Sequence, residues 1–247
     1  MEHIISFIST HRHTLGYIRI TAPLMVSTSI MPQDIQLNHL TVLDFNGLQE
    51  HGEMQIFAWI TRNAPNVQKL EFSRAEQDDV DICRAMKNLR HLKELWYSSC
   101  SPAFIDFMNY HASLGEQSLL AVLSIELDSD PGTDLFPIIY RLSRLQSLSL
   151  RFLNTTMNNV SFEALAQGCP GLTDLALYCD HDDGIPSPLI YQIQLFPKLT
   201  SLSISSHAKQ ESLLSLLHCK RLQNLKVEGM RLTSDVKELL SGLLIDE

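Results

Sequence analysis

The chain has 247 residues, with 19 Lys+Arg against 28 Asp+Glu and a net charge of −9. At 45% hydrophobic, 19% charged and near-zero mean hydropathy, the composition excludes a disordered chain and a membrane protein, and it suffices for a substantial core. The acidic balance excludes nucleic acid as the expected partner, because no positive field exists to release counterions.

Five cysteines (Cys83, Cys100, Cys169, Cys179 and Cys219) form an odd set without a CxxC pair. They read as reduced thiols of an intracellular protein, cytoplasmic or nuclear, rather than as a disulfide framework. The apolar start, Ile4-Ile5-Ser6-Phe7-Ile8, lacks the basic flank of a signal peptide. No apolar run reaches the roughly 20 residues needed to span a bilayer.

Leucine is the outlying residue, 40 of 247, and its arrangement is periodic. A pattern Leu-x-x-Leu-x-apolar runs through Leu15/Ile18/Ile20, Leu40/Leu43/Phe45, Val67/Leu70/Phe72 and Leu92/Leu95/Tyr97. It continues through Leu120/Leu123/Ile125, Leu145/Leu148/Leu150, Leu172/Leu175/Leu177, Leu199/Leu202/Ile204 and Leu222/Leu225/Val227. Successive anchors lie 25, 27, 25, 28, 25, 27, 27 and 23 residues apart. Three residues before the anchor, Leu37, Ala64, Leu89, Leu142, Cys169, Phe196 and Cys219 keep the same phase. Pro65, Pro170 and Pro197 follow that position, where a fixed φ and a missing N–H end a helix.

The last two apolar residues of each pattern are two apart, so they share one face of a short strand. The segments before the next anchor show helical spacing, as in Met54-Phe57-Ala58-Ile60, Phe104-Phe107-Met108 and Leu213-Leu214-Leu216-Leu217. Ser101-Pro102 and Ser187-Pro188 read as N-cap and first helical residue. Ser234-Asp235 reads as the cap of a last helix carrying Val236, Leu239, Leu240, Leu243 and Leu244, with no further strand after it. Each unit is thus a strand, a loop and a helix that cannot bury its core alone. Stacked units form a parallel sheet with helices outside.

This organisation resembles the leucine-rich repeat family, in its ribonuclease-inhibitor-like and cysteine-containing subclasses. Cys169-Pro170-Gly171-Leu172-Thr173-Asp174-Leu175-Ala176-Leu177, and the stretch from Leu92 to Cys100, look like the repeats of F-box leucine-rich proteins, fungal ones in style. The resemblance implies an α/β solenoid over residues 1–247, a single domain of about nine repeats. Its parallel sheet would line a concave face and its helices a convex one. The family's internal Asn-or-Cys position holds Pro23, Leu48, Ala75, Cys100, Asp128, Leu153, Asp180, His207 and Met230, so the Asn ladder is missing. The pattern already runs at Leu15, which leaves no room upstream in this sequence for an F-box of about 45 residues. Ile4, Ile5, Phe7 and Ile8 read as the helix of a preceding unit, and the expectation is a truncated product or a family member without the F-box.

The residues flanking the apolar strand positions form three columns on the open sheet face. The central one reads Arg19, Asp44, Glu71, Trp96, Ser124, Ser149, Ala176, Ser203 and Lys226, and the trailing one includes Arg151 and Tyr178. This mixed, serine-rich surface suits a protein or peptide partner. Trp96 is the first candidate anchor because large aromatics there dominate interfaces; Arg151 and Tyr178 come next, with Glu71, Asp44 and Arg19 beside them. Acidic loops follow alternate strands: Glu76, Asp78, Asp79 and Asp81; Asp128, Asp130 and Asp134; Asp180, Asp182 and Asp183. The loop at Asp128 lacks the twelfth-position glutamate of a calcium loop, since that residue is Ile139.

No catalytic, cofactor or metal motif appears. There is no phosphate-binding glycine loop, Gly-x-Ser-x-Gly or His-Glu-x-x-His, and neither His11/His13 nor Cys179/His181 has a second ligand pair. Cys169 and Cys219 read as core thiols, while Cys179, at a strand end, reads as exposed. The expected function is a non-enzymatic recognition scaffold. By resemblance it would be the substrate-recognition region of an F-box-type ubiquitin ligase subunit, a ligase adaptor only if an F-box lies upstream. The alternative is a leucine-rich repeat regulator of an enzyme or small GTPase.

Overall fold

Every predicted strand forms where the repeat places it. The computed structural model describes residues 2–21, 32, 35–46, 51–73, 80–98, 100–127, 134–153, 156–157, 159–180, 184–205 and 208–244, with backbone alone at 2–3 and 51–54. The chain divides into two compact units, Met1–Leu120 and Ala121–Glu247.

The first unit holds strands β1 (Tyr17–Ile20), β2 (Val42–Asn46), β3 (Lys69–Ser73) and β4 (Glu94–Tyr97), and helices α1 (Glu2–Thr10), α2 (His51–Asn63), α3 (Val80–Met86) and α4 (Pro102–Ser113). Its strands pair in sequence order, all parallel, with Ile18, Leu43, Leu70 and Leu95 in one row. The second unit holds β5 (Val122–Leu127), β6 (Ser147–Phe152), β7 (Asp174–Cys179), β8 (Ser201–Ser205) and β9 (Asn224–Glu228). These are again parallel and sequential, with Leu123, Leu148, Leu175, Leu202 and Leu225 in register. Its helices are α5 (Leu135–Ile139), α6 (Phe162–Gly168), α7 (Ser187–Gln192), α8 (Gln210–Leu213) and α9 (Ser234–Leu240).

Two backbone devices explain why the pattern repeats as it does. The carbonyl just before a strand accepts two N–H groups from the next repeat: Gly16 from Thr41 and Val42, Gln146 from Thr173 and Asp174, Thr173 from Thr200 and Ser201. The anchor N–H donates to the carbonyl three residues earlier, as Leu40 does to Leu37, Leu92 to Leu89, and Leu172 to Cys169. The in-phase position before the anchor therefore opens a four-residue turn. Pro65 and Pro170 occupy its second position, where a φ near −65° is already set.

The core lies between sheet and helices. Leu43, Leu70, Leu95, Leu123, Leu148, Leu175, Leu202 and Leu225 are all buried. In β2, β3 and β4 the second core-facing position is aromatic, Phe45, Phe72 and Tyr97, and the rings form a contiguous series with Phe57 and Phe104. Phe45 meets Phe57 edge-on at 5.1 Å, Phe72 stacks on Tyr97 at 5.4 Å, and Tyr97 on Phe104 at 4.3 Å. In the second unit Ile125, Leu150, Leu177 and Ile204 fill the same level, and shorter helices cover them.

The helix ends differ from expectation in two places. Ser101 caps α4 as predicted, its Oγ accepting from the Phe104 N–H. Ser187 is instead the first residue of α7, with Pro186 at the cap, and α9 is capped by Thr233 rather than Ser234; neither cap makes a side-chain bond. In both cases a preceding extended residue, Pro186 or Thr233, takes the cap conformation and moves the serine into the helix. Leu213 ends the single turn of α8 (Gln210–Leu213), and Leu214, Leu216 and Leu217 lie in the 3₁₀ segment that follows, Leu214–His218. Beyond α9 the chain returns to β9, where Leu225 donates to the Leu243 carbonyl and Leu244 forms a single parallel bridge with Leu225.

Candidate recognition face

Alternation along each strand sends one set of side chains into the core and the other onto the sheet face opposite the helices. Within each unit the candidate residues project on this open face: in the first, four strands contribute one each, Arg19, Asp44, Glu71 and Trp96 in β1 to β4; in the second, two strands contribute Arg151 and Tyr178, in β6 and β7. In the first unit, register aligns Arg19 with Asp44, Asp44 with Glu71, and Glu71 with Trp96. Neighbours in this row are one strand spacing apart, about 4.8 Å.

Asp44 departs from the exposed role expected of it, being only 4% exposed. Its carboxylate lies 3.0 Å from Arg19 Nε and accepts hydrogen bonds from Tyr17 Oη at 3.2 Å and Asn46 Nδ2 at 2.5 Å. The Oγ of Ser73 in turn donates to the side-chain oxygen of Asn46. A buried carboxylate with one cation and two donors is satisfied from within its own sheet, and it is a structural group of this face. Arg19 is drawn into the same network.

Trp96 has 41% of its surface exposed. Lys69 places its Nζ 4.6 Å from the Trp96 ring centre and 3.9 Å from Glu94 Oε2. The indole thus has a cation against it, and that cation has a carboxylate of its own. Glu71 is half-buried and, among the described residues, makes no hydrogen bond or ion pair.

In the second unit, Arg151 bridges two carboxylates, 3.6 Å from Glu126 and 3.3 Å from Asp180. Tyr178 pairs in register with Arg151 on one side and Ser205 on the other. Lys226 forms an ion pair with Glu228. The interior of this face is short side chains, Ser124, Ser149, Ala176 and Ser203. Of the acidic loop residues, Asp81 pairs with Arg84 and Asp180 with Arg151. Glu76, Asp78, Asp79, Asp128, Asp130, His181, Asp182 and Asp183 lie outside the described residues.

The cysteines behave as packing groups. Burial pushes the Cys169 thiol up to about 12, and its Sγ reaches the carbonyls of Ile139 and Leu142, both at 3.4 Å. Burial also raises Cys219. Cys179, expected to be exposed, is buried with its Sγ 3.8 Å from the Gly184 carbonyl. A buried histidine escaped the sequence reading: His111 sits one helical turn beyond Phe107, and that spacing was the available signal. Its Nδ1 is 3.2 Å from Ser118 Oγ, Phe107 and Tyr110 flank the ring, and Nε2 has no partner.

Among the described residues, no three His, Cys, Asp or Glu side chains gather in a metal-binding group, and no helix is long and apolar enough to cross a membrane. Parallel strands in a repeated register, alternating with helical segments from β2 onward, decide the architecture. Both units have the leucine-rich repeat fold.

No family model matches the chain, and no curated protein matches it. Among solved structures, a leucine-rich repeat protein of Leptospira interrogans is similar, with a TM-score of 0.39 and 14% identity over 86% of this chain and 60% of that one. The chain therefore spans less than two thirds of that protein's length.

Proposed function

We propose that the chain is a non-enzymatic recognition scaffold that binds a protein or peptide on the open sheet face. The observation that carries this reading is Trp96, a large ring left 41% exposed on a sheet face and steadied by Lys69 rather than tucked into the core. Aromatic side chains held in this way dominate protein interfaces, because they bring much contact area with few rotamers to immobilise. On the second unit's own open face Arg151 and Tyr178 are the candidates, and there Arg151 would exchange its own carboxylates for those of a partner.

The test is affinity capture of a partner on the full chain, followed by titration of Trp96→Ala against the purified partner. Binding weaker by about 2 kcal/mol or more with the melting temperature unchanged supports the reading. Unchanged binding removes this face from it.

The narrower reading is the substrate-recognition region of an F-box-type ubiquitin ligase subunit. Its support is the resemblance of Cys169–Leu177 and Leu92–Cys100 to F-box leucine-rich repeats. An F-box encoded upstream in the same reading frame, with co-purification of a ligase adaptor by the longer chain, is the expected result; an upstream frame without one refutes it.

A further inference from the structure

We propose that the open face of the first unit selects a partner by an arginine side chain, which pairs with Glu71 and lies against Trp96. The inference deepens the recognition reading above and rests on it.

Among the described residues, the charged side chains on the strands of this face are Arg19, Asp44, Lys69, Glu71 and Glu94. Four of them are matched within the chain: Arg19 with Asp44 at 3.0 Å, and Lys69 with Glu94 at 3.9 Å. Glu71 is left over. Its neighbour in register on one side is the buried Asp44, which has no spare donor to offer, and on the other side is the exposed indole of Trp96. Among the described residues, an uncompensated carboxylate therefore stands one strand spacing from the exposed indole of Trp96.

This juxtaposition discriminates between partner chemistries. An apolar segment covering Trp96 would also cover Glu71 and strip water from a charge with no counterion, at a cost that would offset much of the contact. An acidic segment would be repelled. A cationic group supplies the missing charge, and arginine suits the geometry better than lysine. Its guanidinium is planar, is less strongly hydrated than an ammonium, stacks on aromatic faces and donates two parallel hydrogen bonds to a carboxylate. Lys69 does not compete for Glu71, because it is already engaged by the ring and by Glu94.

The probe is a random dodecapeptide phage library panned on the full chain, with counter-selection on Trp96→Phe and Trp96→Ala variants whose melts match the wild type. The expected result is enrichment of arginine-containing peptides whose retention requires Trp96. A synthetic peptide from this pool should lose about two- to fivefold in affinity when its arginine is replaced by neutral, near-isosteric citrulline, the effect of one surface charge pair. Glu71→Gln should cause a loss of similar size, and the two changes together should cost little more than either alone. Trp96-dependent peptides that lack arginine, or whose binding is indifferent to Glu71→Gln, overturn the proposal and leave the recognition reading standing. A library that yields no Trp96-dependent peptide overturns both.

Discussion

Asp44 and Arg19 meet across the first two strands, with 3.0 Å between carboxylate oxygen and Nε, and the acid is nearly sealed from solvent while the arginine is half exposed. The pair is asymmetric. Removing Arg19 leaves Asp44 with hydrogen bonds from Tyr17 and Asn46, whereas removing Asp44 leaves a tyrosine, an asparagine and an arginine without their shared acceptor. Asp44→Ala should therefore destabilise the protein by about 1–3 kcal/mol in urea denaturation. Arg19→Ala should cost less than Asp44→Ala. The reverse order would show that charge, not hydrogen bonding, dominates the network.

His111 gives the protein a specific acid sensitivity. Burial lowers its pKa from 6.5 to about 4, so the unfolded chain takes up the proton first. Stability from this group is full above pH 6.5 and is lost as pH falls toward about 4. The loss attributable to it is about 3 kcal/mol across that window. His111→Leu should remove that part of the pH dependence. Urea melts of both proteins at pH 7 and pH 4.5 check it, and parallel pH profiles would refute it.

The shared leucine row supplies a direct test of the repeat packing. Leu148→Ala and Leu175→Ala remove side chains that are buried on adjacent paired strands. Each should cost about 2–5 kcal/mol as a cavity substitution. A loss below about 1 kcal/mol at both would place these residues outside the core.

Gly168 ends α6 where that helix presses on the preceding repeat. A β-carbon there would lie 1.8 Å from the Tyr140 carbonyl oxygen, a backbone atom that cannot swing aside. Gly168→Ala should destabilise by about 1–3 kcal/mol or more through overpacking, although alanine is the better helix former. Gly242→Ala, whose β-carbon would meet nothing within 4 Å, is the control and should be neutral in the same thermal melts.

Much of the fold was legible in the amino-acid order. Strand positions, parallel pairing and core leucines follow from one period of 23 to 28 residues combined with period-two alternation. A repeat tests the same local solution nine times, so isolated ambiguities cancel. The candidate residues were legible only as positions on a face. Whether Asp44 is free or buried depends on Tyr17 and Arg19, about one repeat away. That Lys69 occupies Trp96 while Glu71 stays unmatched depends on side chains reaching across strands. Cys179 is buried with the Gly184 carbonyl beside its Sγ, and Ser187 loses its cap position to Pro186. Local pattern determined which way each side chain points, because strand alternation is a backbone property. Tertiary structure decided which of those side chains are already engaged, because partners are supplied by residues some 25 positions away that no single repeat contains.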